Sequence, residues 1–219
     1  MIISILNLKG GVGKTTIATN LAVAFAHRGK DVCLLDTDLE QKSSSDWHGK
    51  RADNLPSMTV VAATTPSQIG ENTRKLATKY DVIIMDGTPH VGEITDRAIL
   101  VSDIVLIPLE PSIYSLDAFH NFYKNLLYLI KKREMLNERL EIRILVNKVI
   151  KNTTVSRDIL EALKDYELTI LDTRLVNRTA YVKSAEEGKG VTEWRDEQAK
   201  SELDSLVSEI QAIIDSFKK

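Results

Sequence analysis

At 219 residues, 43% hydrophobic and 27% charged, the chain has the size and composition of one globular α/β domain with a sizeable core. Its net charge of −2 exerts no overall pull on nucleic acid, so any DNA or membrane contact has to come from a local patch. The single cysteine, Cys33, excludes an intrachain disulfide and a multi-cysteine metal site, and its neighbours Val32, Leu34 and Leu35 make it a small buried hydrophobe. Strand patterns fall at 2–8, 31–36, 58–63, 82–86, 104–108, 142–147 and 168–171. They are short, rich in Val, Ile and Leu, and mostly lack polar alternation, as strands buried on both faces do. Helical patterns fall between them at 15–27, 66–79, 94–101, 116–136, 154–164, 179–187 and 192–217. This alternation predicts a doubly wound, mostly parallel sheet with helices on both faces, spanning 1–219 as one domain. The polar stretch 40–56 is the exception, and Ser43-Ser44-Ser45 within it reads as a helix start or a loop.

The first strand pattern runs into Lys9-Gly10-Gly11-Val12-Gly13-Lys14-Thr15-Thr16 and then into a helix. Glycines there allow a tight turn that points several N–H groups inward, and the helix N-terminus adds partial positive charge. Lys14 supplies a full charge for phosphates, and the Thr15 hydroxyl can ligate Mg²⁺. The expected phosphate-binding set is therefore Gly10, Gly11, Val12, Gly13, Lys14, Thr15 and Thr16. In sheets of this class ligands gather at the carboxyl ends of strands, and carboxylates fall there: Asp36 and Asp38 after Leu34-Leu35, and Asp86 after Val82-Ile83-Ile84-Met85. An aspartate in that position can hold a hydrated Mg²⁺.

The loop departs from the standard pattern, which wants glycine where Leu8 stands, and carries a second lysine, Lys9, ahead of the Gly-Gly pair. In this form it resembles the deviant Walker A motif of the ParA/MinD family of P-loop ATPases. The resemblance implies ATP or ADP with Mg²⁺, a metal shell held by Thr15, Asp36 and Asp86, and Asp38 positioning the attacking water. It implies that Lys9 reaches across a dimer interface to a partner's phosphates. Lys9, Lys14 and Asp38 are thus the expected catalytic residues. Asn147, in Leu145-Val146-Asn147-Lys148, and Pro108, in Ile107-Pro108-Leu109-Glu110-Pro111-Ser112, resemble parts of the family's adenine pocket. The sequence also departs from the family: Asp38-Leu39-Glu40-Gln41 stands for Asp-Pro-Gln, and Trp47 is displaced by one. Around Arg178-Thr179-Ala180-Tyr181, Ala185 and Gly188-Lys189-Gly190-Val191 the resemblance is looser. The chain starts on the Walker strand, as the family's small members do.

What the resemblance implies about function is an ATPase that partitions or positions cargo. ATP closes a homodimer, the dimer binds DNA without sequence preference, and a ParB-like or other adaptor protein triggers hydrolysis. Candidate DNA-facing cations are Lys148, Lys151, Arg157, Arg174, Arg178, Lys183 and Lys189. A membrane-associated positioning ATPase like MinD is the alternative. The stretch 203–219 has apolar residues at helical spacing, but Glu202, Asp204, Glu209 and Asp215 would be repelled by anionic lipid. A helix packed on the domain, with no stable membrane association, is the expectation. Iron–sulfur relatives would need more cysteines than Cys33, a tyrosine-kinase relative a tyrosine-rich tail, and ligase relatives have no support in these motifs. No apolar run suits a membrane span, and the N-terminal strand leaves no room for a signal peptide. The expected location is the cytoplasm, on the nucleoid when ATP is bound.

Overall fold

The alternation of apolar runs and helical stretches folds as β1 (Ile2–Ile5), α1 (Lys14–His27), β2 (Val32–Asp36), α2 (Ser43–Gly49), β3 (Thr59–Ala62), α3 (Pro66–Leu76), β4 (Val82–Asp86) and α4 (Glu93–Val101). It continues through β5 (Ile104–Leu109), α5 (Ile113–Met135), β6 (Glu141–Val149), α6 (Thr154–Leu163), β7 (Thr169–Val176), α7 (Thr179–Glu186) and α8 (Glu197–Ser216), with a 3-10 turn at Val191–Glu193. The computed structural model describes residues 1–38, 41, 43–90, 92–150 and 154–218, with 154–157 described by backbone only.

The seven strands form one sheet in the order β3-β2-β4-β1-β5-β6-β7. Every pairing is parallel, so the expected sheet is parallel throughout. Alternate residues of the same strand feed two cores, as the two-residue period of a strand requires. On one face Ile3, Ile5, Leu34 and Ile84 meet α1, α8, Trp47 of α2 and Tyr181 of α7. On the other Cys33, Leu35, Ile83 and Met85 meet Ile69 of α3, Ile99 of α4, Phe119 and Phe122 of α5, and Leu163 of α6. Burial raises the Cys33 thiol to about 11, so it stays a neutral packing group.

Several boundaries differ from the expected ones for local reasons. β1 stops at Ile5 rather than residue 8, because the chain leaves the sheet there to build the glycine loop. β6 and β7 run longer than their apolar cores, through irregular pairing between Ile144 and Val149. The last helix starts at Glu197, not 192, because Asp196 accepts hydrogen bonds from Gln198 N and Ala199 N and fixes the cap there. Its apolar stripe, Leu203, Leu206, Val207, Ile210 and Ile214, is buried in the α1-side core. Each of these side chains contributes on the order of 1.5–3 kcal/mol to that contact. No helix among the described residues is long and apolar enough to cross a membrane.

The polar stretch is anchored at its far end by a buried ion pair. Arg51 donates to both Glu193 carboxylate oxygens, at 2.7 and 2.9 Å, with side chains only 4% and 3% exposed. Arg51 also donates to the carbonyls of Gly188 and Pro56. Glu193 sits 2.9 Å from His27 Nε2. Burial alone would raise the Glu193 carboxyl, but the bonds from Arg51 and His27 outweigh it and hold it below the ordinary range. We predict that Arg51→Ala, by stranding that carboxylate, costs about 3–5 kcal/mol in urea unfolding at pH 7. Because the folded carboxyl is depressed, its contribution is present above the ordinary glutamate range. The gap between variant and wild type should therefore narrow as pH falls through that range.

Candidate nucleotide site

The glycine loop leaves β1 and enters α1 through two left-handed residues, Gly11 at φ 75° and Gly13 at φ 94°. Gly13 caps α1, and its carbonyl accepts from Ile17 N at 2.9 Å. The loop is held from outside by side chains that take its carbonyls. Asn147 Nδ2 donates to Val12 O at 2.7 Å, and Lys148 Nζ to Gly11 O at 2.6 Å. With those carbonyls turned to β6, the loop and helix N–H groups can converge on one point, as an anion-binding nest does. A Cβ on Gly13 would lie 2.5 Å from Asn147 Nδ2, so both its left-handed φ and this contact demand glycine. Lys148 itself adopts φ 55°, an uncommon conformation for a lysine.

A cavity of about 290 Å³ opens over this loop at the carboxyl end of the sheet. Gly10, Gly11, Gly13, Lys14, Thr15 and Thr16 line it, together with Asp38, Asn147, Arg178 and Tyr181. Val12 lies beneath, fully buried. Lys14 is 8% exposed, and its Nζ donates to Lys9 O at 3.2 Å. Burial lowers its ammonium pKa, partly offset by Asp86 and Asp38.

The three carboxylates play different parts. Asp86 is almost wholly buried: Oδ2 accepts from Ser44 Oγ at 2.6 Å, and Oδ1 has no hydrogen-bond partner. Burial pushes it up to about 6, against the stabilising hydroxyls of Ser44 and Thr15, while Asp36 adds to the rise and Lys14 opposes it. Asp36 is turned toward α2: Oδ2 accepts from Ser45 N at 3.0 Å and Ser45 Oγ at 2.9 Å, and Oδ1 from Asp38 N at 3.2 Å. Asp38 Oδ1 accepts from Gln41 N at 3.0 Å. An orphaned, buried carboxylate oxygen beside a threonine hydroxyl and a phosphate-type loop fits a hard divalent cation. No group of three His, Cys, Asp or Glu among the described residues could hold a metal, so such a cation would draw its remaining oxygens from phosphate and water.

Residues 3–191 match the CbiA family, the CobQ/CobB/MinD/ParA nucleotide binding domain. The chain belongs to this family. It is 27% identical over 213 residues to the maintenance of carboxysome distribution protein A of Halothiobacillus neapolitanus, covering 95% of each chain. It is 29% identical over 203 residues to the sporulation initiation inhibitor protein Soj of Bacillus subtilis, covering 75% of this chain and 79% of Soj. The septum site-determining protein MinD of Pyrococcus horikoshii, complexed with Mg-ADP, shares its fold at a TM-score of 0.78 and 18% identity over 95% of each chain.

Within this CobQ/CobB/MinD/ParA domain most of the expected residues line one cavity, and five do not: Val12 and Asp86 are buried out of its lining, and Pro108, Asp36 and Lys9 are engaged elsewhere. Pro108 does not line the cavity. It lies inside β5, where β1 has already ended, and its carbonyl accepts from Asn7 Nδ2 at 2.7 Å. Asp36 is a loop anchor here, with both oxygens engaged. Lys9 neither lines the cavity nor lies free in solvent: its Nζ donates to Ser115 Oγ at 2.8 Å and to Ser112 Oγ at 3.3 Å. Three of the DNA-facing candidates are engaged within the chain. Arg178 pairs with Glu202 at 2.6 Å, Lys189 with Glu187 at 2.7 Å, and Lys148 folds onto the loop, while Arg174 and Lys183 are exposed. Lys151 and the Arg157 side chain lie outside the described residues, as do Leu39 and Glu40 of the departing motif. Ser44 and Ser45, which hold Asp86 and Asp36, read in the sequence only as a helix start or a loop.

The buried Asp86 gives a testable pH dependence. Its folded pKa of about 6 stands above the ordinary 3.8, so this carboxyl favours the folded state most fully at low pH, and that stability is lost as pH rises through 6. Two units correspond to about 3 kcal/mol. Without nucleotide or magnesium, Asp86→Asn should be about 2–3 kcal/mol more stable than wild type at pH 8, and the difference should vanish near pH 4 in urea unfolding.

Proposed function

We propose that residues 1–219 act as one ATP-dependent positioning domain of the ParA/MinD type, and the observation that carries this reading is the glycine loop that lines one cavity with Lys14 and Thr15, next to the buried Asp86 with its orphaned oxygen. ATP occupies the cavity with its phosphates on the N–H groups of residues 10–16, and Lys14 neutralises the β- and γ-phosphates. Thr15 and Asp86 would hold Mg²⁺, with Asp36 at one remove through its loop; the ion, when bound, withdraws charge from the phosphates. Asp38, on the cavity wall, orients the attacking water. Asn147 spends its N–H on Val12 and has its amide oxygen for the donor edge of adenine. Under this reading ATP closes two copies into a dimer, Lys9 of each supplies a second cation to the other's phosphates, and the dimer grips DNA without sequence preference. A ParB-like or other adaptor protein then triggers hydrolysis and release. The relatives' names, a carboxysome distribution protein and Soj, favour cargo positioning as the role. The burial of the α8 stripe favours DNA over a membrane as the surface.

Lys14→Ala should lose measurable ADP binding in calorimetry, since it removes the charge seated within the loop; wild-type affinity would remove the nucleotide assignment. Lys9→Ala should still bind ATP but remain monomeric in light scattering and fail to retain random duplex DNA on a filter with ATP. Two facing triphosphates repel in a poorly hydrated interface, and the lysine from each side offsets that repulsion. An ATP dimer of normal strength in Lys9→Ala would withdraw the exchange of lysines while leaving the ATPase reading in place.

A further inference from the structure

Two adjacent serines of α2 treat the two strand-end carboxylates differently. Both oxygens of Asp36 are occupied: Oδ2 accepts from Ser45 N and Ser45 Oγ, and Oδ1 from Asp38 N. Asp86 has one oxygen occupied. Its Oδ2 accepts from Ser44 Oγ at 2.6 Å, and its Oδ1 has no partner. Ser44, Asp36 and Asp86 are all buried, so no solvent stands ready to replace the Ser44 bond. Nor can the serine follow a carboxylate that turns, because α2 is fixed beyond it. Trp47 Nε1 donates to Lys189 O at 3.3 Å, and Arg51, just past the helix, pairs with Glu193. Ser44 thus holds Asp86 as a donor of one oxygen in one orientation.

Divalent cations differ in what they ask of a carboxylate. Ca²⁺ takes six to eight oxygens in a loose shell and accepts both oxygens of one carboxylate, whereas Mg²⁺ demands a tight octahedron. A carboxylate that offers a single oxygen suits the smaller ion. We propose that Ser44 is a positioning residue that selects Mg²⁺ over Ca²⁺ at the nucleotide site, by occupying Asp86 Oδ2 and presenting Oδ1 alone. The proposal rests on the reading of Thr15 and Asp86 given under Proposed function. Freeing Oδ2 for a two-oxygen grip would leave the Ser44 hydroxyl buried without a partner, which is costly. Asp36 cannot make up the missing oxygen without giving up a bond to Ser45 or Asp38. Partners that hold a metal ligand from behind commonly change metal affinity by about ten- to a hundred-fold.

Calorimetry of ADP binding to the full chain, in excess Mg²⁺, in excess Ca²⁺ and in EDTA, tests this. Wild type should bind ADP about ten-fold more tightly with Mg²⁺ than with Ca²⁺. In Ser44→Ala that preference should fall about ten-fold, to near parity, while the affinity in EDTA stays at the wild-type value. Ser44→Thr, which keeps the hydroxyl, should keep the preference. If the alanine variant does not fold, Ser44→Cys, close in shape but a weak donor, should lose most of the preference. The ratio between two metals in one variant cancels any general loosening of the site. A wild-type chain without preference for Mg²⁺, or an unchanged ratio in Ser44→Ala, overturns the proposal. An equal loss in all three conditions shows a structural role only and overturns it too. Failure of the underlying reading looks different: wild type then binds no ADP under any of the three conditions, and the proposal falls with it.

Discussion

The bond from Asn147 Nδ2 to the carbonyl of Val12 ties the end of β6 to the glycine loop, and the shape of the cavity depends on it. β6 is two strands away from β1, across β5, so this bond can form only where the sheet order places β1, β5 and β6 side by side. It also needs β1 to end early and β6 to run late, which is why the apolar run at 2–8 gives up its last residues to the loop. Asn7 fills the gap that early ending leaves, taking the carbonyl of Pro108 and the amide of Lys9. A proline inside a strand loses no ladder bond there, because β1 no longer runs beside it. The glycine at 13 follows from the same contact, since a β-carbon would collide with the Asn147 amide. One side-chain amide thus links the topology of the sheet to the conformation of the phosphate loop.

Helix α2 is the second organiser. Its serines reach the two strand-end carboxylates: Ser44 binds Asp86, and Ser45 binds Asp36. Its other end is pinned by Trp47 Nε1 on the carbonyl of Lys189 and by Arg51 on Glu193. The carboxylate cluster is thereby coupled to the segment before α8, although nothing in the sequence places these stretches together. Burying Asp86 with one oxygen unpaired is unfavourable in the chain alone. The rigid α2 connection accounts for its persistence, because neither end of that helix can relax without breaking a buried bond. Strain of this kind is commonly stored where a ligand will relieve it.

The parts of the site legible in sequence are those whose chemistry is local. Lys14, Thr15 and the glycines are contiguous, and their order alone implies a phosphate nest. Asp86 was legible because four apolar residues before it fix the strand end. The roles of Ser44, Ser45 and Lys148 depend on partners 42, 9 and 137 residues away and had no local signature. For Pro108 the sequence offers a motif but no partner: its carbonyl is taken by Asn7, a residue 101 positions earlier in the chain. Lys9 shows a further limit. Its presence in the motif was plain, while its position on α5 comes from a serine pair more than 100 residues on. The start of α8 was misjudged because Thr192 and Asp196 are both acceptable caps, and the Glu193 bonds to Arg51 and Gly190 hold the first as a 3-10 turn.

Charge pairing also constrains how a chain of this kind could engage DNA. Affinity for duplex grows with the number of phosphates neutralised, and each contributes about −0.9 to the salt slope. In this chain Arg178 is satisfied by Glu202 and Gln198, Lys189 by Glu187, and Lys148 by the loop, which leaves Arg174 and Lys183 as the exposed members of the described candidates. These two alone neutralise too few phosphates to hold duplex at physiological salt, and pairs such as Lys189–Glu187 would have to be broken for the other described candidates to add to them. Joining two copies doubles the exposed set on one assembly with no new residue required. Under the proposed function, dimerisation would therefore be what gives DNA affinity its threshold. The state of the nucleotide would then govern DNA contact by governing the number of chains, leaving the charge of each chain unchanged.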